Sequence, residues 1–357
     1  TTPRTRGLFA RAIAQSFGVT PMATLAAAEK SGRAFAEHAG APVFLNGAGR
    51  GSLPADHPHF FSQTRKDALA EADVVVIVGT PLDFRLGYGA GIAETARIVQ
   101  IDSDGAEIGR NRAVDVGIVG DSRSVLEQLT AATSKRRAGG PWLRKLREQE
   151  KAKASRQADY ERSDQVPIHH FRLAKELDAV ARAAGESMFV ADGGNWVAIA
   201  AKVIGLRKPG SWLDPGPLGC LGVGAPFAIA SKLLHPDRPV FVIQGDGSFG
   251  LNGMDYETAL RFKLPMVVVV GNDAAWGQIR LPQVQLFGPE KSPATQLAPT
   301  RYDKVVEALG GYGEHVTQPS QIRPALERAL ASGTVACVNV MLDPEAPAAS
   351  GAQGYAI

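Results

Sequence analysis

An acid flanked by glycines, Gly245-Asp246-Gly247-Ser248-Phe249, follows an apolar run at 240–244. A helix-like stretch comes next, then a second apolar run at 266–270 that ends in Gly271-Asn272-Asp273. In a parallel sheet this order sets an acid at the carboxyl end of one strand. A polar pair then stands at the end of the next, one helical crossover later. Open α/β sheets bind ligands in the crevice outside the carboxyl ends of their strands. Glycines beside Asp246 let backbone approach a ligand closely, and the helix N-terminus after them favours an anion. A carboxylate, a second side-chain oxygen and a free carbonyl make a good Mg²⁺ site when a diphosphate supplies the remaining oxygens. The plain alternative for the letters GDG alone is a tight strand-to-helix turn.

The elements that would position these groups read as alternating apolar and amphipathic runs. Val- and Ile-rich segments recur at 42–46, 72–79, 96–102, 187–192, 240–245, 266–271 and 335–342. Helical candidates lie at 26–37, 62–71, 122–132, 171–183, 253–261 and 320–331. Continuous runs such as DVVVIVG and PMVVVVG are those of strands buried on both faces of a parallel sheet. The expected fold class is therefore α/β, with two doubly wound, Rossmann-like parallel-sheet domains. The 357 residues accommodate two domains at roughly 150 each. From 134 to 165 the sequence turns polar, with eight Lys/Arg between Lys135 and Lys153. Minimal aromatic interleaving makes this a solvated linker with an exposed helix rather than a nucleic-acid patch. The expected division is an N-terminal segment 1–25, a first domain 26–134, a charged linker 135–165, a second domain 166–345 and an arm 346–357. No opening strand is expected before Ala26.

Composition removes several function classes. Lys+Arg 39 against Asp+Glu 36 gives +3, which does not support a nucleic-acid field. Cys220 and Cys337 are the only cysteines, so neither a disulfide scaffold nor a cysteine zinc site is expected. No apolar run approaches the roughly 20 residues of a membrane span. The N-terminal stretch has arginines but no signal-type apolar core, so a reducing, cytoplasmic setting is the expectation. The seven histidines show no metal-ligand spacing. No GxSxG elbow is present, and no clean GxGxxG opens a βα unit at the right place, which argues against a serine hydrolase and a dinucleotide-binding dehydrogenase.

GDGSF, the 27 positions from Asp246 to Asp273 and the closing GND resemble the signature of thiamine diphosphate (ThDP) enzymes, in which GDG precedes a strand ending in Asn-Asn. The resemblance implies Asp246 as a Mg²⁺ ligand, Asp273 at the second ligand position and the Ala275 carbonyl as a third. Gly245, Gly247, Ser248 and Asn272 would then surround the cofactor. Asp273 departs from the usual Asn; it still coordinates Mg²⁺ but adds negative charge beside the diphosphate. Pro217-Leu218-Gly219-Cys220-Leu221-Gly222-Val223-Gly224 resembles the stretch that holds the aminopyrimidine. That likeness implies the Gly219 carbonyl as acceptor for the 4′-amino group and Leu221 as the wedge that bends the cofactor. The bend brings the 4′-nitrogen near thiazolium C2, so the cofactor can deprotonate itself. The structural alternative is glycines for helix packing with Leu221 in the core. Ala191-Asp192-Gly193-Gly194-Asn195 resembles the segment touching the diphosphate, implying Gly194 and Asn195, although Asn195 reads equally as a helix N-cap.

Within the family, ThDP is an electron sink that stabilises the carbanion formed when a C–C bond beside a carbonyl breaks. The activating glutamate comes from a separate N-terminal domain acting across a subunit interface. Only the middle and diphosphate-binding domains are matched, so the resemblance implies a fragment of a longer chain or a second polypeptide, in a homo-oligomer (dimer or tetramer). Residues 47–89, with their Pro-His run and RxxAL-xxADVV pattern, are similar to the middle domain of the 2-hydroxyacyl-CoA lyase and oxalyl-CoA decarboxylase branch, and less closely to acetolactate synthases. The first branch implies cleavage of a 2-hydroxyacyl-CoA to a carbonyl compound and formyl-CoA, or the reverse, with ADP or CoA at the middle domain. The rival joins 2-oxo acids, with FAD there. A reading from another class is an inactive nucleotide- or ThDP-binding module. Asp102 fits a ribose-binding acid or a plain turn aspartate. The branch's basic residue is replaced by Pro81, and Arg85 is the substitute. Trp276, Gln278 and Arg280 would line the substrate pocket. Arg280 would pair with a carboxylate or CoA phosphate or else form a surface salt bridge, and Trp276 is equally a core residue.

Overall fold

Strands such as Val-Val-Val-Ile-Val satisfy their side chains only when both sheet faces are covered, and the chain covers them twice. The computed structural model describes residues 12–15, 25–133 and 140–346. Two units separate: Thr1–Ser155 with Gly205–Trp212, and Arg156–Ile204 with Leu213–Ile357. Among the described residues no helix is long and apolar enough to cross a membrane.

The first unit comprises β1 (Ala12–Gln15), α1 (Leu25–Ala39), β2 (Val43–Phe44), α2 (Arg65–Glu71), β3 (Val74–Val78), β4 (Arg97–Asp102), β5 (Val116–Val119), α3 (Ser122–Ala132) and the start of α4 (Pro141–Glu161). Its sheet runs β2-β1-β3-β4-β5, with every pairing parallel. The 1–25 segment therefore does not stand ahead of the domain. Strand β1 lies between β2 and β3, although four residues are too few for a readable period. Strand β5 was missed for another reason: it is an edge strand whose Val116 and Val119 are exposed, so its residues carry no burial pattern.

The charged stretch does carry a largely exposed helix, α4, but over 141–155 it is docked and not a free linker, because Leu146 is fully buried in the cluster of Phe61, Leu69, Val75 and Ile98, with Trp142 and Leu143 packed beside it. Four residues on, the Glu150 carboxylate accepts from Ser62 N (2.7 Å), Gln63 N (2.9 Å) and Thr64 Oγ1 (2.8 Å), ahead of α2. A narrow apolar stripe under long charged side chains hides such docking from composition. Glu150→Ala should lower the stability of this unit by about 2 kcal/mol, since buried amides lose a charged acceptor. An unchanged urea midpoint would show that α4 does not hold α2. Residues 205–212, assigned by sequence to the second domain, also belong here: Ala55 N donates to Leu206 O (3.1 Å), and Arg207 pairs with Asp56 (2.9 Å).

The second unit contains α5 (His170–Ala183), β6 (Met188–Ala191), α6 (Asn195–Val203), β7 (Trp212–Leu213), α7 (Gly224–Leu234), β8 (Val240–Gly245), α8 (Asp246–Asn252), α9 (Tyr256–Arg261), β9 (Met266–Asn272), α10 (Gly277–Phe287), α11 (Tyr302–Ala308), β10 (Tyr312–Val316), α12 (Ile322–Ala331) and β11 (Val335–Met341). The sheet order is β10-β11-β9-β8-β6-β7. Val240, Val242, Val268, Val270 and Cys337 bury one face against Ala225, Ala228, Tyr256 and Ala259. Ala191 stands opposite Ile243, and Gly245 opposite Gly271, so β6 ends two residues before β8 while β8 and β9 end side by side at one edge. On leaving β6 the chain supplies β7 on one side and β8 on the other. That change of direction opens a crevice at the carboxyl edge.

Candidate functional site

At the end of β8 the chain passes Gly245 and enters α8 at Asp246, which is buried. Its Oδ1 accepts from Gly247 N (2.7 Å) and its Oδ2 from Ala275 N (3.1 Å). At the end of β9, Asp273 is also buried, and Gly277 leaves room for it: a Cβ there would stand 2.5 Å from Asp273 Oδ2. Burial lifts the Asp246 carboxyl to about 6 against the opposing pull of the Gly247 and Ala275 amides. Burial and then the Asp246 charge lift Asp273 to about 8. Two acids that raise each other's cost of ionisation, with no ion-pair partner among the described residues, present oxygens suited to a hard cation.

The loop after β9 supplies a third oxygen. Ala274 O accepts from Leu297 N (2.7 Å) and Trp276 N donates to Thr295 O (2.8 Å), flanking an antiparallel bridge between Ala275 and Gln296. Ala275 is thus a non-hydrogen-bonded pair in that ladder, so its own N–H and C=O turn to the opposite side. The N–H reaches Asp246, and the carbonyl shares that side. Ala274 holds this turn at φ 51, a left-handed conformation that alanine adopts at some cost. Among the described residues no group of three or more His, Cys, Asp or Glu side chains is placed to hold a metal. A cation here would need further oxygens, from backbone or from a ligand, besides the two carboxylates.

The backbone opposite is built for close approach. Gly245 N donates to Gly193 O (2.6 Å), and a Cβ on Gly194 would lie 2.8 Å from Gly245 Cα. Gly194 sits at φ 131, closed to ordinary side chains. It, not Asn195, is the N-cap of α6; Asn195 opens the helix, buried, with Nδ2 lacking a partner among the described residues. An unsatisfied buried amide donor at a helix N-terminus suits an anion. A Cβ on Gly247 would stand 2.7 Å from the Trp276 ring, which covers that turn.

The segment before α7 completes the crevice. Gly219 is left-handed at φ 65. Leu221 is 38% exposed, and its Cδ2 lies 2.5 Å from where a Gly193 Cβ would be, so it stands over the end of β6 rather than in the core. Sequence reasoning passed over what fixes it. The Asp192 carboxylate accepts from Gly222 N and Gly224 N (both 2.9 Å) and from Gln244 Nε2 (3.0 Å). The available signal was its place, an acid at a strand end like Asp246.

Other expected residues have different work. The Ser248 hydroxyl donates to Gly193 O (3.0 Å), binding β8 to β6 instead of facing a ligand. Asn272 donates to Thr300 O (2.9 Å) and accepts from Ala274 N (3.1 Å), so its side chain shapes the loop. Arg280 pairs with exposed Glu345 (3.1 Å), the salt-bridge alternative, and its charge also pulls Asp273 down slightly. Trp276 and Gln278 are half-buried beside the turn. In the first unit, Arg85 is buried in a two-pronged pair with Asp83 (Nε to Oδ2 3.0 Å, Nη2 to Oδ2 2.6 Å). Asp102 accepts from Asp104 N (2.9 Å), the turn role. Arg85 is thus held by Asp83 inside the unit, and Asp102 takes at least the turn role with one of its two carboxylate oxygens.

Comparison with known proteins agrees with this geometry. The family description "Thiamine pyrophosphate enzyme, C-terminal TPP binding domain" matches residues 192–340, and "Thiamine pyrophosphate enzyme, central domain" matches 3–129. The chain is 41% identical over 304 residues to "Acetolactate synthase large subunit IlvG" of Mycobacterium tuberculosis, covering 85% of this chain and 54% of that protein. It is 38% identical over 322 residues to "2-hydroxyacyl-CoA lyase 2" of Caenorhabditis elegans (86% and 49%) and 36% over 286 residues to that of Homo sapiens (79% and 45%). By identity the acetolactate synthases are not the more distant branch. The chain spans about half the length of the curated relatives it matches.

Proposed function

This chain belongs to the thiamine pyrophosphate enzyme family, and from that premise we propose that it forms the diphosphate- and Mg²⁺-binding half of a ThDP-dependent carbon–carbon lyase or carboligase. The observation that carries this reading is the convergence of Asp246, Asp273 and the Ala275 backbone at one sheet edge. Two carboxylates and a carbonyl would hold Mg²⁺, whose remaining ligands come from the diphosphate. Gly194 and Gly245 let the ends of β6 and β8 meet, Gly247 makes room for the Trp276 ring, and the Asn195 amide donor would offer the diphosphate a hydrogen bond. Gly219 and Leu221 would hold and bend the aminopyrimidine end.

When bound, ThDP supplies a carbon nucleophile and then an electron sink for the bond being broken. The protein's part is positional. Leu221, standing over Gly193, would press against a bound cofactor, and Trp276 covers the turn at Gly247. A carboxylate from another domain or a second polypeptide would drive the aminopyrimidine tautomer. Apolar surface on α7 and near α8, with Leu234 76% and Met254 66% exposed, supports such a partner. The substrate reading is cleavage of a 2-hydroxyacyl-CoA to a carbonyl compound and formyl-CoA, or the reverse. The 41% identity to acetolactate synthases favours a second reading, condensation of 2-oxo acids. A visible flavin spectrum in the purified protein would select the second, and bound ADP or CoA the first.

Calorimetric titration with ThDP and Mg²⁺ tests the cofactor, and mixing the chain with a separately expressed N-terminal domain tests the split enzyme. Leu221→Ala should leave ThDP binding nearly intact while slowing C2 proton exchange about tenfold or more in the assembled enzyme, because the reacting atoms lose their alignment. Normal exchange by NMR would remove Leu221 from that role.

A further inference from the structure

We infer that Asp192, backed by Gln244 and Tyr256, is a positioning device that sets the aminopyrimidine end of the site from the diphosphate end. The inference rests on the cofactor reading above for its ligand, but its geometry stands alone. One buried carboxylate gathers Gly222 N, Gly224 N and the Gln244 amide. It thereby acts as an anion at the N-terminus of α7, supplied by a different strand. Gln244 is completely buried two residues before Asp246, and its Oε1 accepts from the buried Tyr256 hydroxyl (2.7 Å). That second bond fixes which end of the amide faces Asp192. The strand that carries the metal carboxylate therefore also fixes the loop that carries Gly219 and Leu221. No ligand contact is needed for this: a carboxylate has enough acceptor sites for all three donors, whereas an amide must turn its NH₂ toward at least one of them. There is no slack for rearrangement, because a Cβ on Gly224 would lie 2.8 Å from Gln244 Nε2 and 3.0 Å from Asp192 Oδ2.

Asp192→Asn tests this, with isosteric Gln244→Glu as a second variant that sets a like charge against the carboxylate. Hydrogen exchange by mass spectrometry on the chain without cofactor should accelerate about tenfold in the peptide covering 217–226 for both variants, leaving the β9 peptide unchanged. Asp192→Asn should also weaken ThDP with Mg²⁺ about tenfold while pyrophosphate with Mg²⁺ binds within about twofold of wild type. Unchanged exchange at 217–226 in both variants, or equal losses for ThDP and pyrophosphate, would overturn the inference. If the wild-type chain binds neither probe, the cofactor reading fails, and the exchange ratio alone then decides whether Asp192 holds the loop.

Discussion

Asp246→Ala is expected to abolish Mg²⁺-dependent ThDP binding, with a loss of about a thousandfold or more, roughly 4 kcal/mol. The carboxylate has no other counter-cation among the described residues, and its two amide donors approach from the backbone. Asp246→Asn separates charge from shape. It keeps a group of the same size between Gly247 and Ala275, and it relieves the burial that makes ionisation costly. Its NH₂ must face one of the two backbone amides where an oxygen now accepts, so the asparagine variant should lose about 1–3 kcal/mol of stability, offset in part by the relieved burial, while binding as poorly as the alanine variant. ThDP binding by either variant at wild-type affinity, measured by calorimetry, would remove Asp246 from the metal site.

The second large effect is on pH dependence. Both carboxyls titrate above their ordinary value of 3.8, Asp246 at about 6 and Asp273 at about 8. A cation binds the ionised forms, so protons compete with it. Both carboxyls gain ionisation between pH 6 and pH 8, Asp273 the more, so affinity should tighten by about an order of magnitude or more over that range. Asp273→Asn should flatten most of that slope above pH 6, which distinguishes the protein's contribution from titration of the diphosphate. For the metal-free protein the sign reverses. A folded carboxyl raised above its unfolded value stabilises at low pH, and that stability is lost as pH rises through about 6 and then about 8. Above the range in which the buried or half-buried histidines His59, His169, His170 and His315 oppose it, melting temperature without metal should thus fall from about pH 7 to pH 8, and saturating Mg²⁺ should offset the fall. A rise over that range would mean the two carboxyls are not buried together.

The site was legible where chemistry depends on residue type at a strand end. Asp246, Asp273 and the glycines around them stood out because the apolar runs before them fixed which edge of the sheet they occupy. Gly219 and Leu221 were visible only through resemblance, since nothing in PLGCLGVG itself says that Leu221 stands over Gly193 instead of in the core. Ser248 and Asn272 carry the right atoms, yet their hydrogen bonds go to backbone at Gly193 and Ala274. Arg85 was a reasonable cation for a nucleotide until Asp83, two residues away, proved to hold it.

What the sequence determined by itself is the alternation of strand and helix, because an all-apolar run such as 266–270 has no stable exposed arrangement, and the pairing of two acids across one crossover. Short-range patterns encode both. The tertiary structure alone decided three matters: that β1 enters the first sheet between its neighbours, that a charged helix docks through Leu146 and Glu150, and that Asp192 reaches across to Gly222 and Gly224. Each depends on contacts between residues at least 28 positions apart. The free energy of such contacts comes from burial and hydrogen-bond satisfaction at the meeting place, and no local preference of either partner records it.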